Sequence, residues 1–362
     1  MRGWLFAVLL HSIALITATG LCLLVLEWGT RVAYGFAMPA LPLRLASGIP
    51  RLPANVAFEA SFLQAPFERG SRTSYVTDHG GARIANTRAA RPSARGLLVM
   101  GDSQALGYQI RFDQTFAARV ARGLSLRDLD VRILAAPGVD LETSLAASRE
   151  YGADKLRGQR LAIVVVNLGN DLDELYFSTN VEARSAAREW LMQHSYLAML
   201  AEMINHRSFV QASVVPGVPK VLYALLPHER VFLASEAAAI VEDHTKSLHG
   251  FEDVVVVTIP TDLQVAATEF DKYERYFRSA ADFAQWRSKA HVMAAQMNAM
   301  DDYMVHTLRS AGVRAVSFRD ALPAERAAKV FERTSHHLTE YGHELLATSV
   351  LQALSLECPG GA

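Results

Sequence analysis

Gly96-Leu97-Leu98-Val99-Met100-Gly101-Asp102-Ser103-Gln104 is the stretch on which the reading of this chain turns. A short apolar run closed by turn-forming residues reads as a buried strand. A strand that stops at Gly-Asp-Ser presents a serine hydroxyl at the carboxyl-terminal edge of a sheet. Open α/β sheets place their ligand sites at that edge. A serine hydroxyl is a poor nucleophile until a base takes its proton. The rest of the chain is therefore read for a base, for hydrogen-bond donors, and for the sheet that would bring them together.

Working outward, four further runs share the composition of the first: Val131–Leu134, Leu161–Asn167, Asp253–Ile259 and Val313–Phe318. They are short, β-branched and continuously apolar, as strands of a parallel sheet buried on both faces must be. Helical patterns lie between them. Phe116, Val120 and Leu124 recur at helical spacing after the Gly-Asp-Ser turn. Met293, Met297, Met300 and Met304 form a stripe that reads as core packing. Strands alternating with helices predict a doubly wound α/β sheet. Residues 172–250 interrupt the alternation with an insertion. It carries Trp190, Leu197, Leu200 and Ile204 at helical spacing, then Pro216-Gly217-Val218-Pro219. Such an excursion suits either a substrate wall or a structural elaboration.

The chain has 362 residues, 51% hydrophobic and 20% charged, with a net charge of −1. That is ample for a large core and gives no global pull toward nucleic acid. The two cysteines, Cys22 and Cys358, stand near opposite ends, which speaks against a disulfide between them. From Trp4 to Leu26 there is no Asp, Glu, Lys or Arg. About 20 apolar residues cross a bilayer, and a cleaved leader has a shorter apolar stretch. Leu21 before Cys22 argues against lipoprotein processing. The expectation is an uncleaved transmembrane anchor over residues 1–30. Arginines flank it on both sides, so charge does not settle its orientation. Residues 31–94 read as a connecting segment with one short hairpin around Asp78-His79-Gly80-Gly81. Its arginines, Arg69, Arg72, Arg83, Arg88, Arg91 and Arg95, read as a solvated surface, with contact to anionic lipid or polysaccharide as the alternative.

Four separated pieces fall at strand ends or at the last helix: Gly101-Asp102-Ser103, Ala135-Ala136-Pro137-Gly138, Gly169-Asn170-Asp171, and His337-Leu338-Thr339-Glu340-Tyr341-Gly342-His343. Each alone is a weak signal. In this order, over residues 95 to 352, they resemble the SGNH (GDSL-type) hydrolase superfamily. The resemblance implies a flavodoxin-like three-layer sandwich with a parallel sheet, filling residues 95–358 and carrying the 172–250 insertion. It implies Ser103 as nucleophile, with the N–H groups of Ser103 and Gly138 and the Asn170 amide as oxyanion donors. It implies His337 as general base. Those choices make chemical sense. Glycine lets backbone approach a ligand closely, and an Asn amide is a donor that never changes its charge.

One departure stands out. Members of the superfamily usually carry Asp three residues before the histidine, sometimes two, where this chain has Thr334 and Ser335. Glu332 is the nearest acid in sequence, and Thr334 Oγ is another group that can orient His337. Loss of a triad aspartate in a serine protease lowers turnover about 10⁴-fold. His336 competes with His337 as base, but the His-Leu-Thr-x-x-Gly-His pattern starts at His337. His343 reads as packing or capping, Asp102 as support for the turn, and Asp171 and Asp173 as exposed loop acids. Gln104 reads either as a pocket residue or as neutral to function. The resemblance implies a serine esterase or O-acyltransferase at the bacterial inner membrane, its body outside the cytoplasm. The substrate would be an ester-bearing glycan, acetylated by first expectation, or a lipid. The alternative is a degenerate relative that binds a glycan or an envelope partner. No metal-ligand or nucleotide-binding spacing is present, so no cofactor is expected.

Overall fold

The chain is described by a computed structural model. It covers residues 2–34, 41, 44–46, 49–65, 68–85, 96–126, 131–137, 139, 141–151, 161–169, 171–172, 191, 194–198, 227–265, 270–271, 273–274, 277, 279–322, 329–332 and 337–355. A long helix, α1 (Arg2–Tyr34), comes first. A small hairpin of β1 (Arg44–Ala46) and β2 (Ile49–Arg51) follows, then β3 (Ala57–Ala65), β4 (Glu68–Thr77) and β5 (Arg83–Ile84). The alternating part runs β6 (Leu97–Gly101), α2 (Ser103–Leu106), α3 (Phe116–Gly123), β7 (Val131–Ala135), α4 (Leu141–Tyr151) and β8 (Leu161–Asn167). It continues with α5 (Pro227–Ser247), β9 (Asp253–Ile259), α6 (Asp262–Val265), α7 (Ala280–Ser310), β10 (Arg314–Ser317) and α8 (Glu340–Ser355).

One sheet holds β10-β9-β8-β6-β7-β5-β4-β3 in that order. The five strands from β6 onward pair in parallel, with Leu97 beside both Val131 and Leu161, Leu161 beside Asp253, and Val255 beside Arg314. Counted along the chain, these strands lie in the order second, first, third, fourth, fifth, which is the flavodoxin-like order. The alternation along β6 splits the core into two layers. Leu97 and Val99 face Phe116 and Val120 of α3 and Leu346 and Val350 of α8. Leu98 and Met100 face Leu145 of α4, Ala237 and Val241 of α5, and Met300 and Met304 of α7. The expected doubly wound three-layer sandwich is thus the observed one. The methionine stripe packs as expected, with Met297, Met300 and Met304 buried.

Residues 31–94 do more than connect. They add β3, β4 and β5 antiparallel to the open side of β7. The alternation that marks β4 is polar: Thr73, Tyr75 and Thr77 turn inward while Arg72 and Ser74 face out. The expected hairpin joins β4 to β5. The Asp78 carboxylate accepts N–H bonds from Gly80 (2.9 Å) and Ala82 (3.0 Å), and Gly81 takes a φ of 83°. The solvated-surface reading of the arginines fails at Arg83, which has no exposed surface. It holds at Arg72, exposed and paired with Glu59; the other four side chains lie outside the described residues. The predicted helix through Trp190, Leu200 and Ile204, and the Pro216–Pro219 segment, lie outside the described residues as well. The insertion instead shows α5, 21 residues long, whose pattern the sequence reading did not single out.

Among the described residues one helix is long and apolar enough to cross a membrane, over Leu9–Ala33 with a mean hydropathy of 2.2. Its large apolar side chains, from Leu9 to Val32, are exposed.

Candidate active site

The site begins where β6 ends. Gly101 has a φ of 151°, and a Cβ there would lie 2.8 Å from Ala105 Cβ and 3.0 Å from Val165. Only glycine lets the strand fold straight back into α2. Asp102 caps α2: its Oδ1 accepts the Gln104 N–H at 2.8 Å, and its Oδ2 accepts the Asn167 side-chain amide at 2.7 Å. Burial pushes the Asp102 carboxyl above its ordinary range, and the Asn167, Gln104 and Ala105 donors partly offset that. Asn167 is the last residue of β8. Its Oδ1 accepts the Gly169 N–H (3.1 Å), and its own N–H goes to Asp171 Oδ2 (2.7 Å). Asp171 is therefore not the exposed acid that its loop position suggests; it is 2% exposed and braces the turn from inside.

Arg83 reaches the same turn from β5. It donates to the carbonyls of Leu106 (2.8 Å), Gly107 (3.0 Å) and Ile110 (2.7 Å), with its guanidinium 4.2 Å from the Tyr75 ring centroid. They include the Leu106 carbonyl at the end of α2, which stops at Gly107 with a φ of 68°.

The imidazole arrives from the other end of the chain. Phe331 and Leu338 form a bridge, and the Glu332 N–H donates to the His337 carbonyl at 2.9 Å. Thr339 closes the hairpin, its N–H and hydroxyl both donating to Val330 O. It also begins α8, accepting the Gly342 N–H on its hydroxyl (3.1 Å) and the His343 N–H on its carbonyl (2.9 Å). A Cβ on Gly342 would lie 2.4 Å from Val330 O, so the spacing in His-Leu-Thr-x-x-Gly-His has a steric origin. His343 accepts the Phe116 N–H on Nδ1 (3.2 Å) and lies parallel to the Phe116 ring. That is the capping role its sequence position suggests. Burial, with Arg83, Arg119 and His337 nearby, holds His343 neutral down to about 3.

These elements converge. His337 Nε2 lies 3.0 Å from Ser103 Oγ, across 234 residues of chain. The Tyr108 ring, on the turn after α2, lies against the His337 ring at 4.5 Å between centroids and 28° between planes. Gln104, 4% exposed, points inward and not into an open pocket; its Oε1 accepts the Leu338 N–H at 3.0 Å. Sequence reading missed Asn167, Arg83 and Tyr108, since nothing local marks a residue whose partner is far along the chain. Gly138, Asn170, Thr334 and His336 lie outside the described residues, as does Asp173. Among the described residues no cluster of three or more His, Cys, Asp or Glu side chains is arranged to hold a metal ion.

A hydroxyl in hydrogen-bond contact with an imidazole, at the carboxyl-terminal edge of a parallel sheet, is an arrangement able to transfer a proton from one to the other. A groove of about 760 Å³ lined by Lys246, Asp253, Arg309 and Arg314 sits instead at the start of β9 and β10, the opposite edge. Comparison with protein-family models finds no match, and comparison with curated proteins finds none. Solved structures do match. One is a variant of Axe2, an acetyl-xylooligosaccharide esterase from Geobacillus, at 12% identity and a TM-score of 0.39, over 74% of this chain and 97% of that one. Another is LAE5, an alpha/beta hydrolase from the metagenome of Lake Arreo, at 11% and 0.37, over 72% and 94%. A third, from Desulfitobacterium hafniense, is assigned to the G-D-S-L lipolytic family, at 8% and 0.37, over 72% and 99%.

Proposed function

We propose that the chain is an SGNH-type serine esterase or O-acyltransferase acting through an acyl-serine intermediate. The observation that carries the reading is the 3.0 Å contact between Ser103 Oγ and His337 Nε2. In the first step Ser103 Oγ bonds to the ester carbonyl carbon while its proton passes to His337 Nε2. The negative charge then resides on the former carbonyl oxygen, where the N–H groups of Ser103 and Gly138 and the Asn170 amide would receive it. Collapse breaks the bond to the alkoxy group, which takes the proton from His337. Water or a sugar hydroxyl then attacks the acyl-serine, giving up its own proton to His337, and Ser103 is regenerated. Thr334 or Glu332 would orient His337. The substrate we favour is an acyl ester, acetyl first, of an envelope glycan. α1 would hold the body against the outer face of a bacterial inner membrane, and residues 172–250 would form part of the substrate wall.

The test is turnover of a chromogenic acetyl ester by the detergent-solubilised chain beside Ser103→Ala and His337→Ala. Loss of about 10³-fold or more in both variants is the expected result. Equal rates in parent and Ser103→Ala would remove the catalytic reading.

A further inference from the structure

The turn that presents Ser103 also carries two side chains that reach the segment holding His337. Gln104 holds the backbone of Leu338. Tyr108 lays its ring on the imidazole. We infer that Tyr108 is a positioning residue for His337: its ring face fixes the plane of the imidazole and stabilises the imidazolium that forms when Ser103 gives up its proton. The inference rests on the reading of His337 as base.

Three points carry it. An aromatic face bears negative quadrupole charge, so a cation resting on it is favoured, the more so where water is excluded. The contact is close and stacked, with centroids 4.5 Å apart and planes 28° apart. And the ring's own position is fixed: Arg83 gathers the carbonyls of Leu106, Gly107 and Ile110 on either side of Tyr108, and the Gln109 N–H is held by Tyr75 Oη at 3.1 Å. Burial raises the Tyr108 phenol above its ordinary range, so the group stays neutral throughout any working pH and acts through its ring, not as an anion. A triad carboxylate orients the histidine and favours its charged form. Tyr108 supplies a share of both through the face of the ring, in a sequence that has Thr334 and Ser335 where the superfamily's acid usually stands. Among the described residues, Ser103 bonds His337 Nε2, the Glu332 backbone bonds the His337 carbonyl, and His343, which is neutral, is the titratable group that senses His337.

The experiment measures kcat and KM for a chromogenic acetyl ester from pH 4.5 to 9 in the full chain, for Tyr108→Phe and Tyr108→Leu, with Ser103→Ala as control. Tyr108→Phe should stay within about twofold of the parent. Tyr108→Leu should lower kcat about 3- to 30-fold, leave KM near the parent value, and move the acid-side midpoint of the rate profile down by about 0.5–1 pH unit. A lost packing contact alone would not move that midpoint downward. Phenylalanine analogues with one, two and three ring fluorines at position 108 keep the shape while draining the ring face, and the midpoint should fall stepwise along the series. They keep the test open if Tyr108→Leu does not fold. The inference is overturned if Tyr108→Leu matches the parent in kcat and midpoint, if Tyr108→Phe is as impaired as Tyr108→Leu, or if the fluorine series is flat. Activity surviving in Ser103→Ala would instead overturn the serine reading on which it rests.

Discussion

His343 Nδ1 accepts the first N–H of α3 from Phe116, so the imidazole must be unprotonated there to work. Its ionisation is displaced from an ordinary 6.5 to about 3 by burial and by the neighbouring cations. Between those values the unfolded chain binds a proton that the folded chain refuses. Acidification therefore removes stability from about pH 6.5 downward, at up to about 1.4 kcal/mol per pH unit. Buried His244, displaced to about 4, adds the same slope. The raised carboxyls of Asp102 and Asp301 act with the opposite sign, in and above the carboxylate range. His343→Gln keeps an acceptor and loses the titration. Thermal unfolding at pH 7 and pH 5 should show the parent losing more stability than His343→Gln. An equal loss in both would show that His343 titrates normally. Two histidines six residues apart are legible in the sequence as a pattern, and the choice of His337 as the one facing Ser103 came from that pattern. Asp171 was misread because a loop acid and an acid that props the inside of a turn have the same sequence appearance. Only the 2.7 Å bond to Asn167 tells them apart.

At the scale of elements, the five parallel strands were legible because strands buried on both faces are near-continuously apolar, broken here only by residues such as Arg132 and Thr258. The register of β8 against β9, Leu161 to Asp253 through Asn167 to Ile259, matches the two apolar runs residue for residue. β3, β4 and β5 escaped the same reading. One face of that extension meets water, its inward residues include Thr73, Thr77 and Arg83, and its cross-strand contacts include the exposed Arg72–Glu59 pair. A charged residue in a strand reads as surface until its partners are known, and those of Arg83 are carbonyls 23 to 27 residues away. This element has a measurable job. Arg83→Met removes the donor fork and leaves the buried carbonyls of Leu106 and Ile110 without it, while Gly107 O keeps the Ile110 N–H at 3.0 Å. Each buried acceptor left open costs about 1–3 kcal/mol, so with two opened the variant should lose about 2 kcal/mol or more in denaturant unfolding. Arg83→Lys should recover only part, because a point charge cannot span carbonyls on both sides of the turn. A midpoint unchanged in Arg83→Met would mean that the β5 extension does not support the Ser103 turn.

Across the whole molecule, α1 is longer than a bilayer requires. Its 33 residues rise about 50 Å against a hydrocarbon layer of about 30 Å. Past the uncharged run from Trp4 to Leu26, the helix carries Glu27 and Arg31, which pair with each other at 2.8 Å and grip the chain 168 residues on. Glu27 accepts the Ser195 hydroxyl (2.7 Å) and the N–H groups of Tyr196 (3.2 Å) and Leu197 (3.0 Å). Arg31 donates to the His194 carbonyl and lies 5.8 Å from the Tyr196 ring centroid. A carboxylate receiving N–H groups from the first turn of a helical segment is a charge-assisted cap. The carboxyl-terminal end of α1 therefore does not dangle: it is clamped to residues 194–197, between β8 and β9. In the proposed anchored arrangement this sets the angle between the sheet and the membrane, and with it the distance of Ser103 from the bilayer. Spin labels at Val32 and Glu236, both exposed or half-exposed sites on separate helices, should give a narrow distance distribution in the parent. Glu27→Ala, which removes the acceptor for three donors and the partner of Arg31, should broaden it several-fold, while turnover of a soluble acetyl ester stays within about twofold. An equally narrow distribution in Glu27→Ala would show that α1 is held by something other than this clamp. A matching loss of soluble-ester turnover would show that the clamp shapes the site itself and not only its placement.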